Sequence, residues 1–79
     1  MKQQEKAMTT GEYRVGISFN PGGHEMVNKI KRAAADLIDL VESIDGAGIS
    51  EVGRLKALAM THIEDAAMWG VKAATKPPQ

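Results

Sequence analysis

No cysteine occurs in the sequence, so no disulfide can supplement a core, and the chain suits a reducing compartment. Neither sign of charge predominates, because ten basic residues face ten acidic ones and the formal net charge is zero. The basic field that captures long nucleic acids is therefore missing, and DNA and RNA are not expected partners. A small anionic ligand stays compatible, since it needs only a few placed cations. Long hydrophobic runs are absent as well: no stretch is apolar for the length of a bilayer, and the opening Met-Lys-Gln-Gln-Glu-Lys lacks the apolar core of a secretory signal. The expectation is a soluble protein of the cytoplasm with no membrane contact. At 79 residues the chain is one domain at most, and it is poorly placed to build a large core by itself.

What the chain does contain is helical periodicity. The stretch from Gly53 to Lys76 reads as one long helix, with Leu55, Ala59, Met60, Ile63, Ala66, Ala67, Gly70, Val71, Ala73 and Ala74 on a broad apolar arc that only Lys56 interrupts. That arc is wider than one partner helix can cover. An earlier helix is expected from Gly23 or His24 to Ile44. Its seam is Val27, Ile30, Ala34, Leu37, Val41 and Ile44, with Lys31 on the rim, where its stem can lie on apolar surface. Between the two, Asp45-Gly-Ala-Gly48 supplies a C-cap and Ser50 an N-cap, and so short a connection makes the helices antiparallel neighbours. Pro77 and Pro78 stop the second helix and leave a tail at 77–79.

Upstream, residues 1–12 read as a disordered polar tail, and the folded domain as 13–76. From Tyr13 the pattern alternates, with Tyr13, Val15, Ile17 and Phe19 on one side, which predicts an extended arm. The fold class is thus all-α: an antiparallel helical hairpin with a short extended N-terminal arm. Two such wide apolar arcs require a homo-oligomer.

Chemistry has few candidates. His62, Glu64 and Asp65 on one helix, with His24 elsewhere, fall short of a metal site, because structural zinc wants four ligands and helix faces carry such residues as solvated charge. No Ser or Thr comes with a base and an orienting group, so neither an enzyme nor a cofactor is expected. The loop Phe19-Asn20-Pro21-Gly22-Gly23 is the better site. It joins a ring able to stack on a base, glycines that a ligand can approach, and the start of a helix where amides favour phosphate; Lys31 follows about two turns later. The plain alternative is that Phe19 anchors the core and the glycines build a turn. Arg54 and Lys72 share an azimuth with Lys76 nearby, which as a pattern reads as a solvated basic stripe.

Three pieces of the sequence resemble a phage family: Tyr13-Arg-Val-Gly-Ile-Ser-Phe-Asn-Pro21, the Ile30-Lys31 pair, and Ala57 through Thr75 with its Thr-x-x-Glu-x-Ala-x-Met-Trp core. This is the family of small anti-CBASS cyclic-nucleotide sponges, which shares a helical-hairpin domain with the anti-Thoeris sponges. The resemblance spans Tyr13 to Lys76. It implies a protein without enzymatic activity that sequesters the nucleotide signal of a bacterial immune enzyme in the host cytoplasm. It also implies a compact hexamer that binds cyclic dinucleotides between subunits, with cyclic trinucleotides at separate pockets in some members. By resemblance Phe19 is the base-stacking aromatic, Lys31 falls near the cation that meets phosphate, and Lys76 lies at the trinucleotide pocket, which Arg54 and Lys72 would share. Where the anti-CBASS branch commonly has Tyr-His before its proline, this chain has Phe19-Asn20, so an ADP-ribose-type signal stays open as the ligand. The rival reading is a helical protein-interaction module that grips other helices with the same arcs and binds no nucleotide.

Overall fold

The computed structural model describes residues 7–46 and 48–78. Among these residues three helices follow one another, α1 (Thr10–Val15), α2 (Glu25–Glu42) and α3 (Glu51–Thr75), and there is no strand. Half of the expected tail, residues 1–6, lies outside the described residues, as does Gln79.

The expected extended arm is corrected: Thr10–Val15 is a helix. Two local devices override the short alternation. At the start, the Thr9 hydroxyl accepts from the Glu12 amide at 3.1 Å while the Glu12 carboxylate accepts from the Thr9 amide at 3.0 Å, which is a capping box. At the end, Gly16 takes a left-handed conformation (φ 65°), so its amide donates to the Tyr13 carbonyl at 3.2 Å and the Ile17 amide to the Glu12 carbonyl at 3.0 Å. The alternation did not mark a buried face either, since Tyr13 is 77% exposed and Phe19 71%.

Thr9 is the N-cap of this helix and Gly11 lies within it. Gly11 is buried where α1 crosses α2. A Cβ there would stand 2.1 Å from the Ala35 carbonyl oxygen, so only glycine lets the backbones meet. The Gly11 amide also donates to Asp39 Oδ1 at 2.7 Å, which places a carboxylate at the N-terminal end of α1. Glu12 pairs with Arg32 of α2 at 3.0 Å. On the other side, Arg14 donates from Nε to Glu64 Oε1 at 3.0 Å and from Nη2 to Thr61 Oγ1 at 3.3 Å, which ties α1 to α3.

The hairpin itself follows the expectation closely. Ser50 caps α3 by accepting from the Gly53 amide at 2.9 Å. Ile30 lies against Gly70 while Lys56 reaches back to the loop at the end of α2, so the two helices run antiparallel. Lys56 interrupts the apolar arc for a reason: its ammonium donates to the carbonyls of Ile44 and Gly46 beyond the end of α2. Lys76 is pushed into extended backbone (φ −73°, ψ 130°) by the proline that follows it.

The buried line of α2 is Val27, Lys31, Ala35 and Ile38, which is rotated from the expected seam; Leu37 and Ile44 of that seam are exposed. The rotation comes from α1, whose Gly11 occupies the Ala35 side of the helix. With Met60 and Ala67 of α3, the apolar core has five buried members among the described residues, Val27, Ala35 and Ile38 being the others. The chain is a slab with extents of 45 × 44 × 14 Å. Leu37, Leu40, Ile44, Ile49, Val52, Leu55, Leu58, Met68 and Trp69 all lie exposed on it.

Candidate functional site at the junction of α1 and α2

The segment between α1 and α2 folds on two anchors, Asn20 and Lys31. Asn20 closes the turn that starts α2: its carbonyl accepts from the Gly23 amide at 2.9 Å, with Gly23 at φ 59°. Its side chain accepts from the His24 amide at 3.1 Å and donates to the His24 carbonyl at 2.9 Å and to Asn28 Oδ1 at 3.0 Å. Asn20 therefore supports the turn from within. Pro21, Gly22 and Gly23 are exposed, and a Cβ built at either glycine meets nothing within 4 Å, so that backbone is open to approach.

Lys31 departs from expectation. It does not ride the rim of an apolar arc but is 8% exposed, the one charged side chain among the buried residues described. Its ammonium donates to the Gly16 carbonyl at 3.0 Å and to the Phe19 carbonyl, and it stands 5.4 Å from the centre of the Phe19 ring. The structure thus brings Phe19 and Lys31 together, as the sequence proposed, and joins them through the backbone as well as through the ring. Phe19 is not a core anchor, since it is 71% exposed.

A groove of about 450 Å³ runs from Lys31 between α1 and α3, with Val15, Ala67, Met68 and Val71 as its apolar surface and Arg14, Thr61, Glu64 and Asp65 on its polar side. Arg14 and Glu64 neutralise each other across it. Nothing in the sequence alone could pair two residues so far apart. By contrast, the Thr9-Thr10-Gly11-Glu12 signature of a capped helix was legible. Glu12 carries the clearest electrostatic consequence of the docking. Its carboxyl is held below the ordinary glutamate value of 4.5, first by the Thr9 amide and then by Arg32, whose own pKa Glu12 raises in return.

The remaining candidates are not gathered in one chain. Arg54 pairs with Glu51 at 2.7 Å near the start of α3, and at the helical rise it stands roughly 27 Å along α3 from Lys72. A pocket that used both would need a second copy of the chain. The Lys72 ammonium sits 5.3 Å from the Trp69 ring, and Lys76 is exposed at the C-terminal end. Of the residues weighed for a metal, His62 is exposed and Glu64 is held by Arg14; no group of three His, Cys, Asp or Glu side chains among the described residues could hold an ion.

Fold and junction together define a helical-hairpin module with a short helix docked across it and an exposed aromatic ring backed by a cation. The chain belongs to the family described as Acb2/Tad1, hairpin domain, whose model matches residues 12–75. Comparison with curated proteins gives no match, and comparison with solved structures gives none. The family suggests a phage sponge protein, its members being in general non-enzymatic proteins that bind cyclic nucleotide signals. The Thr-x-x-Glu of the resemblance now has a physical role, because Thr61 and Glu64 are the two acceptors that hold Arg14. No helix among the described residues is long and apolar enough to cross a membrane.

Proposed function

We propose that this chain is a cyclic-oligonucleotide sponge of the bacterial cytoplasm, which binds second messengers of anti-phage signalling and withholds them from their effector without chemical change. The carrying observation is the Phe19 ring, 71% exposed in a module of this family and backed on one face by the Lys31 ammonium. An exposed ring over a fixed cation is a stacking platform for a base, and the open backbone at Pro21, Gly22 and Gly23 lets a ligand come close. Cyclic dinucleotides are the main ligand in this reading. Each is compact, carries two phosphates and presents two bases, so a symmetric pair of junctions from two copies suits it.

The oligomer, a hexamer in this reading, is supported by the slab: among the described residues thirteen large hydrophobic side chains are exposed, far more than a small monomer needs to show water. Light scattering at micromolar concentration tests it, and a stable monomer refutes it. Lys76 and Lys72, with Arg54 of another copy, form the second pocket, for cyclic trinucleotides.

The decisive experiment is a thermal-melt panel of cyclic dinucleotides, cyclic trinucleotides and cyclic ADP-ribose forms. A ligand that binds only the folded protein stabilises it by about 2.7 kcal/mol at a hundredfold excess over its dissociation constant. Phe19→Ala should weaken the responding dinucleotide by about 1–3 kcal/mol in titration calorimetry, the size of one lost base stack. Response to the ADP-ribose forms alone would move the ligand to the Thoeris class. A flat panel would replace the sponge by a protein-interaction module.

A further inference from the structure

We propose that Lys31 is the positioning residue that presents Phe19, holding the ring through the loop backbone rather than serving as the phosphate contact of the site. The inference rests on the sponge reading for its ligand, but its geometry is that of the free chain. An ammonium has three donors. Two are engaged by the carbonyls of Gly16 and Phe19, which are the two ends of the turn that delivers the ring. The same Gly16 carbonyl accepts from the Phe19 amide at 2.9 Å, so that turn is closed twice, once by its own backbone and once by Lys31. Burial points the same way: at 8% exposure the side chain lies under the loop, with the ammonium 5.4 Å from the centre of a ring that is itself exposed.

A cation placed so has a single donor left over and lies under the loop, while two of its donors already fix the turn that carries the ring. Besides Lys31, the turn is held by its own Phe19-to-Gly16 bond and, on its far side, by the Asn20 anchor. Gly16 sits at φ 65°, the next element begins only at Glu25, and Phe19 itself is not packed in the core. Removing the ammonium therefore frees the ring to leave its stacking orientation, and the ligand then bears the ordering entropy.

The test uses the full chain and its Lys31→Met variant, which keeps the buried stem. In the ligand-free proteins, hydrogen exchange at the Phe19 amide should speed up in the variant by about 10- to 100-fold, the factor that corresponds to losing a hydrogen bond to a charged group. Binding of cyclic di-GMP or whichever cyclic dinucleotide the panel selects should weaken, while the ratio of parent to variant affinity stays constant from low to high salt. A ratio that shrinks as salt rises, with exchange at Phe19 unchanged, means direct attraction to phosphate and overturns the proposal. Should the variant fail to fold, ¹⁵N spectra of the parent decide: the Lys31 ammonium should be visible without ligand and keep its position at saturation. A signal that appears only with ligand overturns the assignment. If no cyclic nucleotide binds the parent, the sponge reading falls, whereas the positioning role still stands or falls on exchange in the free chain.

Discussion

Gly11→Ala is the sharpest perturbation of the fold. Intrinsic propensity alone favours it, since alanine is the better helix former by up to about 1 kcal/mol. The structure predicts the opposite sign. The new Cβ would lie 2.1 Å from the Ala35 oxygen and 2.9 Å from the Ala35 Cα, both backbone atoms of α2 that cannot rotate away. Helix α1 must retreat, and overpacking of this kind costs about 1–3 kcal/mol. Retreat also stretches the 2.7 Å bond from the Gly11 amide to Asp39, and a hydrogen bond to a charged group contributes about 1.5–3 kcal/mol. Against the propensity gain the net loss is about 1.5–5 kcal/mol, capped by the free energy with which α1 docks. Urea unfolding followed by circular dichroism at matched concentration measures it, with Gly22→Ala as control because nothing lies within 4 Å of that site. Hydrogen exchange at the α1 amides shows whether the loss is local undocking. A Gly11→Ala protein as stable as the parent would refute the close crossing of α1 and α2.

Three further outcomes follow from named contacts. Because the Glu12 pKa is lowered on folding, the stability it contributes is present above the unfolded value and is lost as pH falls through the folded one. Glu12→Gln should therefore lower the melting temperature at neutral pH, with the difference from the parent closing as pH drops below 4.5; a constant difference would contradict the capping box. A double-mutant cycle on Arg14→Ala and Glu64→Ala should give a coupling of about 0.2–1 kcal/mol, since both side chains keep part of their exposure, and no coupling would mean that α1 is held by α2 alone. Lys76→Ala should leave cyclic dinucleotide binding unchanged and weaken any cyclic trinucleotide in calorimetry; the reverse pattern would misplace the second pocket.

The hairpin was legible in the sequence because its determinants are local. Periodicity and the Ser50 cap put α3 within a residue or two of its true bounds, and the Asn20 to Gly23 turn released α2 where expected. Helix α1 was misread because four alternating apolar residues outweighed a capping box that lies in a stretch set aside as tail. That one error propagated. Without α1 there was nothing to cover the Ala35 side of α2, so Lys31 was assigned to a rim when it is buried under the loop that α1 leads into. Phe19 and Lys31 do lie together, but spacing says only that two residues can meet. Whether the ammonium faces a ligand or a carbonyl depends on the path of the turn between them, and that path is set by Gly16 and by contacts distant in sequence. The Arg14 to Glu64 link belongs to the same class of features that no local pattern encodes.

The 14 Å thickness of the slab bears on how much protein a cell must make before it matters. A single layer of helices leaves most side chains within reach of water on one face or the other, so in the oligomer we propose each copy would be completed by the copies that cover it. Folding and assembly then share one equilibrium, and the melting temperature rises with total protein concentration. Early in expression such a chain is exposed to proteases and holds little ligand. Past a threshold, assembled copies protect one another and capacity grows faster than copy number. If the proposed sponge is built this way, it would switch on abruptly rather than in proportion to its synthesis.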